Sequence, residues 1–491
     1  MSPTERASVD AESGRAWSRS WPLLYLAAVT AGLLALFGAW AYDDPFITYR
    51  YADNLARGLG FVYNPGERVL STTTPLFALL LALLAHLWPD LPRVAVLLGA
   101  ATLAGGGLCL WALGRSWHSP WAGLAGLLLY PTFPAVVTTL GSETPLYLFL
   151  CLAALAAYAR ERYGWTAALC AGAVLVRPDG ALVPLVLAAH YLLRRRPAQG
   201  QGVPWRALLA FAGLTLPWLA FSLWYFGSPL PATLFSKQHQ GQMMISQGFA
   251  AGLARTAQLY AAAWPFGLEG LLLGMGLAML AWRFRSWALL LSWTFAYALA
   301  YGALGVTSYF WYYAPLVPMT VAGVGLGLDG LQRLLARLRK GVWATALSLA
   351  LLAILLLGQG RNLWERSQHP DTRVAAYIAV GRWLAANTTQ TATVGALEVG
   401  IIGYYARRPM VDFAGLIQPE VAAQLQAATT YEDAALWAMK RYGPQYLVLI
   451  DGAFPRLETG PVAQLCHPVQ RFPSDAYGSR TDLTVYACTG N

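Results

Sequence analysis

Charged residues are scarce in this sequence. Of its 491 residues, 12% are Asp, Glu, Lys or Arg and 57% are hydrophobic, and the mean hydropathy is +0.45. This composition excludes an ordinary soluble domain and predicts a polytopic membrane protein. The net charge of +10 does not indicate nucleic-acid binding, because the basic residues form short clusters between apolar runs, which is the pattern of cytoplasmic loops.

Cysteine is also scarce, and none of the five cysteines has zinc-site spacing. The C-terminal stretch has no nucleotide-binding glycine motif, since "GALEVG" is not GxGxxG, and no internal repeat is apparent. Cys109, Cys151 and Cys170 lie in apolar runs and are predicted to be packing residues. Cys466 and Cys488 lie in the polar C-terminal part, where an oxidising compartment would permit a disulfide.

Apolar runs predict a helical bundle of about 11 membrane spans. They lie at 22–41, 94–113, 119–139, 144–159, 165–193, 206–226, 266–282, 286–304, 312–328 and 342–359. The first is interpreted as an uncleaved span, with a cleaved signal peptide as the alternative. The run 165–193 is predicted to be a hairpin of two short helices that breaks at "RPDG", with one kinked helix as the alternative, and 75–89 is predicted not to cross the membrane.

Basic clusters predict the orientation of this bundle. The N-terminus is placed in the cytoplasm together with the basic loops Arg115/His118, Arg160/Arg162, Arg194 to Arg196, Arg283/Arg285 and Arg333 to Lys340. The loop 42–74, the turn near Glu143, the loop after 226 and the chain beyond 360 then share the extracytoplasmic face.

The last part of the chain differs in character from the rest. From residue 361 charges return, and short strand-like runs at 392–399 and 445–451 alternate with helical patterns at 372–386 and 419–442. The sequence therefore predicts a transmembrane domain over 1–360 and a small extracytoplasmic α/β domain over 361–491.

Acidic residues give the first functional signal. Between residues 91 and 226 the acids are Glu143, Glu161 and Asp179, of which Glu143 and Asp179 fall on the predicted outer face, where Asp43 and Asp44 also lie. A partly desolvated carboxylate there would accept a proton from a hydroxyl group or bind a divalent cation. The alternatives are structural: a helix N-cap for Asp44, which precedes a proline, and a solvated charge for Asp43.

The segment after these aspartates predicts an amphipathic helix that lies in the membrane interface. Its apolar side carries Ile47, Tyr51 and Leu55, and its polar side includes Arg50. We expect it to end at Gly58 and Gly60.

Two cations and an aromatic run lie on the same predicted face. Arg177 is costly inside a membrane, so it is expected to pair with Asp179 or Glu143 or to bind a phosphate. Lys237 either meets a phosphate or extends to the interface. The run around Tyr312 is either an interfacial aromatic belt or a stacking surface for a sugar or prenyl chain.

Several stretches together resemble a known family. They are "DDPFITYRYADNLARGLGFVYNPGERV", "GSETPLYLFL", "RPDG", "FGSPLPATLFSK" and "VGALEVGIIGYYARRPMVDFAGLIQPEV". Over nearly its whole length the chain resembles integral-membrane GT-C glycosyltransferases, and most closely the relatives of the mycobacterial terminal arabinofuranosyltransferase B. It departs from them at "LSTTTPLFALL", where relatives often have a Gly-Tyr-Thr-Asn stretch, so arabinose is not carried over.

The resemblance implies an inverting sugar transfer from a polyprenyl-phosphate donor to a glycan, lipid or protein acceptor. One of Asp43 and Asp44 would be the catalytic base, and Glu143, Arg177 and Lys237 match acid, arginine and lysine positions of the family's motifs. Together with Arg50, Asp179 and Tyr312, these three are the predicted substrate-binding residues. The residues leave rival readings open: another membrane transferase, a lipid-linked substrate transporter or flippase, or a non-catalytic assembly subunit. A transporter is disfavoured by the missing repeat.

Overall fold

The computed structural model describes residues 3–194, 202–262, 265–283, 285–337 and 341–489. Arg195, Arg196, Arg339 and Lys340 of the predicted basic loops lie outside these ranges.

Helices dominate the chain up to residue 367. They are α1 (Pro3–Phe37), α2 (Asp44–Ala56), α3 (Pro75–Ala85), α4 (Leu91–Ser116), α5 (Pro120–Leu129), α6 (Pro134–Val137), α7 (Thr144–Tyr158), α8 (Tyr163–Val176), α9 (Leu182–Arg194), α10 (Trp205–Phe226), α11 (Ala232–Gln242), α12 (Phe249–Ala262), α13 (Phe266–Arg283), α14 (Ala288–Leu304), α15 (Val317–Arg337) and α16 (Gly341–Ser367). Each predicted apolar run coincides with helix in this order.

Membrane-spanning length is reached by several of these helices. Within the described residues six are long and apolar enough to cross a membrane, or seven if the bent pair α12–α13 is one span. In the most apolar stretch of α10, only 17% of the residues are buried inside the protein. In that of the span Phe310–Arg337, which contains α15, 83% are buried. A helix with apolar residues on its exposed side faces lipid, so α15 lies at the centre of the bundle and α10 at its rim. The predicted polytopic helical bundle is confirmed.

The predicted break at "RPDG" is confirmed, whereas the prediction that 75–89 does not cross the membrane stays a prediction. Helix α3 has 11 residues, a length of about 16 Å, roughly half a hydrocarbon core. Helix α8 ends at Val176, Arg177 is extended (φ −151°, ψ 136°), and a 3-10 turn over Pro178–Ala181 leads into α9. A Cβ atom at Gly180 would collide with the backbone of Ala173, so glycine lets this turn fold back on α8.

An α/β region follows the helical bundle. It contains α17 (Arg373–Asn387), β1 (Val394–Ala396), α18 (Gly400–Ala406), β2 (Met410–Asp412), α19 (Pro419–Ala422), α20 (Tyr431–Tyr442), β3 (Tyr446–Ile450), β4 (Cys466–Phe472), β5 (Leu483–Cys488) and short helical turns. The sheet has the order β2-β1-β3-β5-β4, in which β1 is parallel to both neighbours and the β3–β5 and β5–β4 pairs are antiparallel. Both predicted strands are present as β1 and β3.

The predicted disulfide is also present. Cys466 and Cys488 face each other on β4 and β5 and are joined. Cys151 and Cys170 are free and buried, and Cys109 is free and half-buried, as expected of packing residues.

The solvation predicted for the polar side of α2 is wrong at Arg50, which is 3% exposed, as is Asn54 one turn further on. The α/β region covers that side, because α18 packs directly on α2. That α2 lies in the membrane interface stays a prediction. The predicted end of the helix is confirmed: α2 stops at Ala56, and Gly58 and Gly60 follow with φ of 76° and 95°.

Candidate active site

A cavity of about 350 Å³ lies where the ends of several helices meet the α/β region. It collects residues from α2, the segment before α3, the turns at 142–143 and 177–181, α11 and α14. Six of the eight predicted site residues line it, namely Asp44, Glu143, Arg177, Asp179, Lys237 and Tyr312. Asp43 and Arg50 are not among the lining residues.

Arg177 forms one side of the cavity and is fully paired. Its Nε and Nη2 donate to the two carboxylate oxygens of Asp179 at 3.0 and 2.8 Å, and Nη1 donates to Glu143 Oε1 at 3.3 Å. The remaining N–H groups reach Thr144 Oγ1 at 3.3 Å and the Tyr301 hydroxyl at 2.8 Å. A guanidinium has five N–H donors, and here all five have acceptors. The predicted ion pair is therefore present, and Arg177 has no N–H left for a phosphate.

Glu143 lies in the turn before α7 and depends on this pair. Burial raises the pKa of Glu143 above its usual value, and the Arg177 guanidinium opposes that rise. Arg177 thereby stabilises the ionised carboxylate at the cavity wall.

Asp44 and Lys237 form the second charged pair. Asp44 lies in the first turn of α2, and its Oδ2 is 3.3 Å from Lys237 Nζ on α11. The side chains are 32% and 15% exposed, respectively, whereas Arg177 is 6% exposed. This pair is thus the part of the charged network that remains open to an incoming molecule.

Aromatic rings surround the Lys237 ammonium. Its Nζ lies 4.9 Å from the ring centroid of Tyr309, 5.4 Å from that of Trp311 and 5.7 Å from that of Tyr312. Burial lowers the pKa of Lys237, but Tyr312 and Asp44 outweigh this and raise that pKa above its usual value. Lys237 therefore stays charged, and its ammonium has three donors for acceptors in the cavity.

Asp43 contacts the α/β region instead of the cavity. Its carboxylate accepts hydrogen bonds from the backbone N–H groups of Gly400 at 2.8 Å and Ile401 at 2.7 Å, at the start of α18. A Cβ atom at Gly400 would collide with the backbone oxygen of Asp43. Asp43 thus fastens α18 to α2, a role that differs from the predicted catalytic one.

Arg50 is likewise used in the contact between the two parts of the chain. Its guanidinium donates to the backbone carbonyls of Tyr63 at 3.1 Å and Arg408 at 2.9 Å, and to that of Gly403. The structure therefore places Arg50 away from the predicted substrate-binding position.

A loop of the α/β region reaches the cavity. Leu416 lines it, and the adjacent backbone holds α11, because Ser236 Oγ donates to Gly415 O at 2.7 Å and Gln240 Nε2 donates to Ala414 O at 3.0 Å. Contacts from the α/β region thus fix the helix that carries Lys237.

The donors around the cavity do not fit a resident divalent cation. Asp44 is paired with Lys237, and Glu143 and Asp179 are paired with Arg177. Within the described residues no group of three or more His, Cys, Asp or Glu side chains is arranged to hold a metal.

Several lining residues were not among the predicted site residues. Tyr301 donates to Asp179 Oδ2 at 2.9 Å, but it stands in an apolar run with nothing to mark it. Thr48, Ser71 and Thr233 also line the cavity. The threonines after Ser71 carried a signal, since they form the stretch at which the sequence departs from the family it resembles.

The chain is similar in fold to several solved structures. The chain is similar to the crystal structure of ArnT from Cupriavidus metallidurans bound to undecaprenyl phosphate, with a TM-score of 0.61, 15% identity, and 95% of this chain and 98% of that chain covered. The apo state of ArnT gives a TM-score of 0.62 at 15% identity, covering 96% and 98%. The Archaeoglobus fulgidus oligosaccharyltransferase AglB, in complex with an inhibitory peptide and a dolichol-phosphate, gives 0.56 at 13% identity, covering 90% and 70%.

Sequence comparison adds one match. Residues 361–486 match the model of a family described as Domain of unknown function (DUF8728). No curated protein sequence matches the chain. The relationship to the arabinofuranosyltransferases and the boundary between the two domains stay predictions.

Proposed function

We propose that this protein is a glycosyltransferase that moves a sugar from a polyprenyl-phosphate donor to a hydroxyl group of a glycan, lipid or protein on the outer face of the membrane. The observation that carries the proposal is the open Asp44–Lys237 pair, 3.3 Å apart, at the edge of a cavity beside a fully paired Arg177. It joins a carboxylate that accepts a proton to a cation that binds phosphate.

The reaction proceeds by direct displacement. The Asp44 carboxylate takes the proton of the acceptor hydroxyl, whose oxygen attacks the anomeric carbon of the sugar. The bond from that carbon to the phosphate oxygen breaks, and its electron pair leaves with the lipid phosphate, so the configuration inverts. The Lys237 ammonium stabilises the negative charge that grows on the phosphate, an interaction stronger in the transition state than before it.

Arg177 acts through its neighbours in this scheme. It holds Glu143 and Asp179 in place at the cavity wall while Lys237 binds the phosphate. This assigns phosphate binding to Lys237 and a positioning role to Arg177.

A lipid-linked donor also fits the apolar side of the cavity. Leu182 on α9, Leu234 on α11 and Leu304 on α14 line it. A prenyl chain entering from the bilayer would contact such a wall while its phosphate stays at the charged end, and no nucleotide motif is required. The GT-C fold, shared with ArnT bound to undecaprenyl phosphate, supports the same donor class.

The test is a transfer assay with membranes and radiolabelled polyprenyl-phosphate sugars. Asp44→Asn should lower transfer at least 100-fold, because general-base catalysis contributes about 10²–10⁴-fold, while the protein inserts normally. The control is Asp53→Asn, which removes an acid from the same helix. The Asp53 carboxylate pairs with Arg57 and Arg407. If Asp44→Asn transfers sugar at the same rate as Asp53→Asn, Asp44 is not the base. If wild-type membranes transfer no sugar, the proposed function is wrong.

A further inference from the structure

The carboxyl ends of the parallel strands face the helical bundle. Gly400 and Ile401, which follow β1, donate their N–H groups to Asp43 at the start of α2. The loop after β2 holds α11, and Leu416 of this loop lines the cavity. In open α/β sheets, ligands bind outside the carboxyl ends of the strands. The α/β region therefore presents its ligand-binding edge to the cavity.

The sheet has a topological switch point at that edge. The chain leaves β1 towards β2 on one side, whereas β3 lies on the other side of β1 and leads on to β4 and β5. Adjacent strands whose connections leave in opposite directions open a crevice at their carboxyl ends. A recess of about 20 Å³ lies there, and Glu398 after β1 and Phe454 after β3 are among its lining residues. This volume admits one hydroxyl group or one water molecule.

Glu398 brings an open carboxyl oxygen to this crevice. Its Oε1 pairs with Nη1 of Arg373 on α17 at 3.2 Å, and the Glu398 side chain is 30% exposed. Within the described residues Oε2 makes no hydrogen bond, and it is not closed to solvent. A carboxyl oxygen accepts a hydrogen bond when the group is ionised and donates one when it is protonated. In either state Glu398 has an atom free to bond to a hydroxyl group.

Arg373 supplies open donors beside that oxygen. Its Nε and Nη2 donate to the carboxylate of Asp371 at 3.1 and 2.8 Å, and Nη1 donates to Glu398. A guanidinium has five N–H donors, so two of them have no acceptor in the part of the chain that the structure describes. The Arg373 side chain is 51% exposed. Arg373 thus differs from Arg177, whose five donors are all used.

The charges around this crevice do not favour an anion. Asp371 and Glu398 share the single guanidinium of Arg373. Asp43 lies nearby, since burial raises the pKa of Asp43 and the charge of Arg373 opposes that rise. Acidic side chains outnumber the one basic side chain, so no net positive charge attracts a phosphate or carboxylate group. The open atoms suit a neutral ligand with hydroxyl groups, which both donate and accept hydrogen bonds.

Glu398 also lies close to the charged pair of the cavity. Burial, together with the charges of Asp43 and Asp44, raises the pKa of Glu398 to about 8. Burial raises the pKa of Tyr309 too, and the charges of Asp44 and Glu398 add to that rise. The Tyr309 ring is 4.9 Å from Lys237 Nζ. Charges act on each other over roughly one Debye length, about 10 Å, so the crevice and the Asp44–Lys237 pair are separated by a distance of that order.

We propose that the crevice at Glu398 and Arg373 is a binding site for the hydroxyl groups of a neutral sugar, by which the α/β region holds the acceptor beside Asp44. The inference rests on the proposed function and assigns the acceptor of that reaction to a second site. Sugar hydroxyls bond to Glu398 Oε2 and to the two free N–H groups of Arg373. A further hydroxyl of the same sugar chain then reaches Asp44.

The experiment titrates sugars by NMR against the full-length protein in lipid nanodiscs, with farnesyl phosphate present to fill the phosphate position. The probes are the methyl glycosides of mannose, glucose and arabinofuranose, their disaccharides, and methyl glucuronide as an anionic sugar. A serine- and threonine-rich peptide represents a protein acceptor. The variants are Glu398→Met and Arg373→Met. The matched controls are Glu420→Met and Arg441→Met, which disrupt an exposed ion pair of the same region that is also 3.2 Å long.

Wild-type protein should bind at least one neutral probe. Glu398→Met and Arg373→Met should each weaken that binding about 10-fold, because hydrogen bonds to charged groups are lost, and both control variants should bind like wild type. Methyl glucuronide should bind more weakly than methyl glucoside, since its carboxylate meets the surrounding acids. Binding of farnesyl phosphate should not change in any variant, which also shows that the variants are folded.

The outcomes separate this inference from the proposed function. If Glu398→Met and Arg373→Met bind the sugars as wild type does, the inference is wrong. It is equally wrong if wild type binds the peptide or the glucuronide but no neutral glycoside. In both cases, transfer of radiolabelled sugar by wild-type membranes still supports the proposed function. If wild type transfers no sugar but binds a glycoside through Glu398, the proposed function is wrong and the sugar-binding site is confirmed.

Discussion

Replacing Asp43 with asparagine separates the role of this residue from that of Asp44. The Asp43 carboxylate accepts hydrogen bonds from the N–H groups of Gly400 and Ile401 at 2.8 and 2.7 Å. Asparagine has nearly the same shape but one acceptor oxygen, and its NH₂ group would face the second N–H as another donor. We therefore expect Asp43→Asn to weaken the contact between α2 and α18 and to leave the charges of the cavity in place.

The size of this effect follows from the two hydrogen bonds. A hydrogen bond to a charged group contributes about 1.5–3 kcal/mol, and a neutral hydrogen bond contributes about 1 kcal/mol. Replacing two hydrogen bonds to the charged carboxylate by one neutral hydrogen bond therefore loses about 3 kcal/mol. Burial raises the pKa of Asp43 to about 6, against the lowering by the two N–H groups, so removing the charge relieves part of this loss. A net loss of about 2 kcal/mol remains. It corresponds to a roughly 30-fold lower ratio of the closed to the open state of the contact between α2 and α18.

Hydrogen exchange at the amides of Gly400 and Ile401 measures this contact in the full-length protein. Exchange there should be roughly 30-fold faster in Asp43→Asn, and Gly400→Ala should act in the same direction because its Cβ would collide with Asp43. Asp44→Asn is the control, since it should leave this exchange unchanged while transfer is lost. Unchanged exchange in Asp43→Asn together with a loss of transfer would refute the anchoring role and return Asp43 to the chemistry.

Burial of the Asp43 carboxylate should also make the free energy of unfolding depend on pH, in the sense opposite to the two hydrogen bonds, which lower the pKa of Asp43. The pKa of Asp43 is raised from an ordinary 3.8 to about 6, so the folded protein binds the proton more readily than the unfolded chain. This contribution to stability is full below about pH 4 and is lost as the pH rises through 6. Nearby Glu398, whose pKa burial and Asp43 raise to about 8, extends the loss upward. Asp43→Asn should remove the lower part of this pH dependence, measured as the free energy of unfolding at several pH values.

Three further predictions follow from the remaining contacts. Lys237→Met should reduce kcat/KM at least 100-fold in the transfer assay, because the cation beside Asp44 and the leaving phosphate is lost; activity near wild type would contradict this. Arg177→Lys offers three donors where five are used, and should lower the free energy of unfolding by about 3 kcal/mol in a denaturant titration; an unchanged midpoint would contradict it. Replacing both Cys466 and Cys488 with serine opens a loop of 22 residues and should cost about 3 kcal/mol, measured by comparing thermal unfolding of the α/β region in the variant and in wild type under non-reducing conditions; equal melting temperatures of the two proteins would contradict it.

Much of the fold was accessible from the sequence because local patterns determine it. Apolar runs locate the helices, and "RPDG" locates the break after α8, since proline and glycine disfavour a continuous helix. The pairing of Cys466 with Cys488 followed from their polar surroundings. The position of α2 was not accessible in the same way: its polar side looks solvated until the α/β region, some 350 residues later, supplies carbonyl groups for Arg50.

The candidate site shows the same division. Glu143, Arg177 and Lys237 were recognised because charges are rare in an apolar chain, and the structure brings them to one cavity with Asp44. The roles of the two adjacent aspartates could not be separated by sequence. Their side chains leave the start of α2 in different directions, so that Asp44 contacts Lys237 and Asp43 contacts Gly400. Thr233 carries no such signal, since isolated threonines occur in every kind of structure.

The most direct test of the central claim is a structure of the protein in lipid nanodiscs with undecaprenyl phosphate. The account predicts that the phosphate binds in the cavity, with an oxygen about 2.7–2.9 Å from Lys237 Nζ and the prenyl chain along Leu234. A phosphate bound instead among the basic loops at the opposite end of the helices, near Arg115, would contradict it.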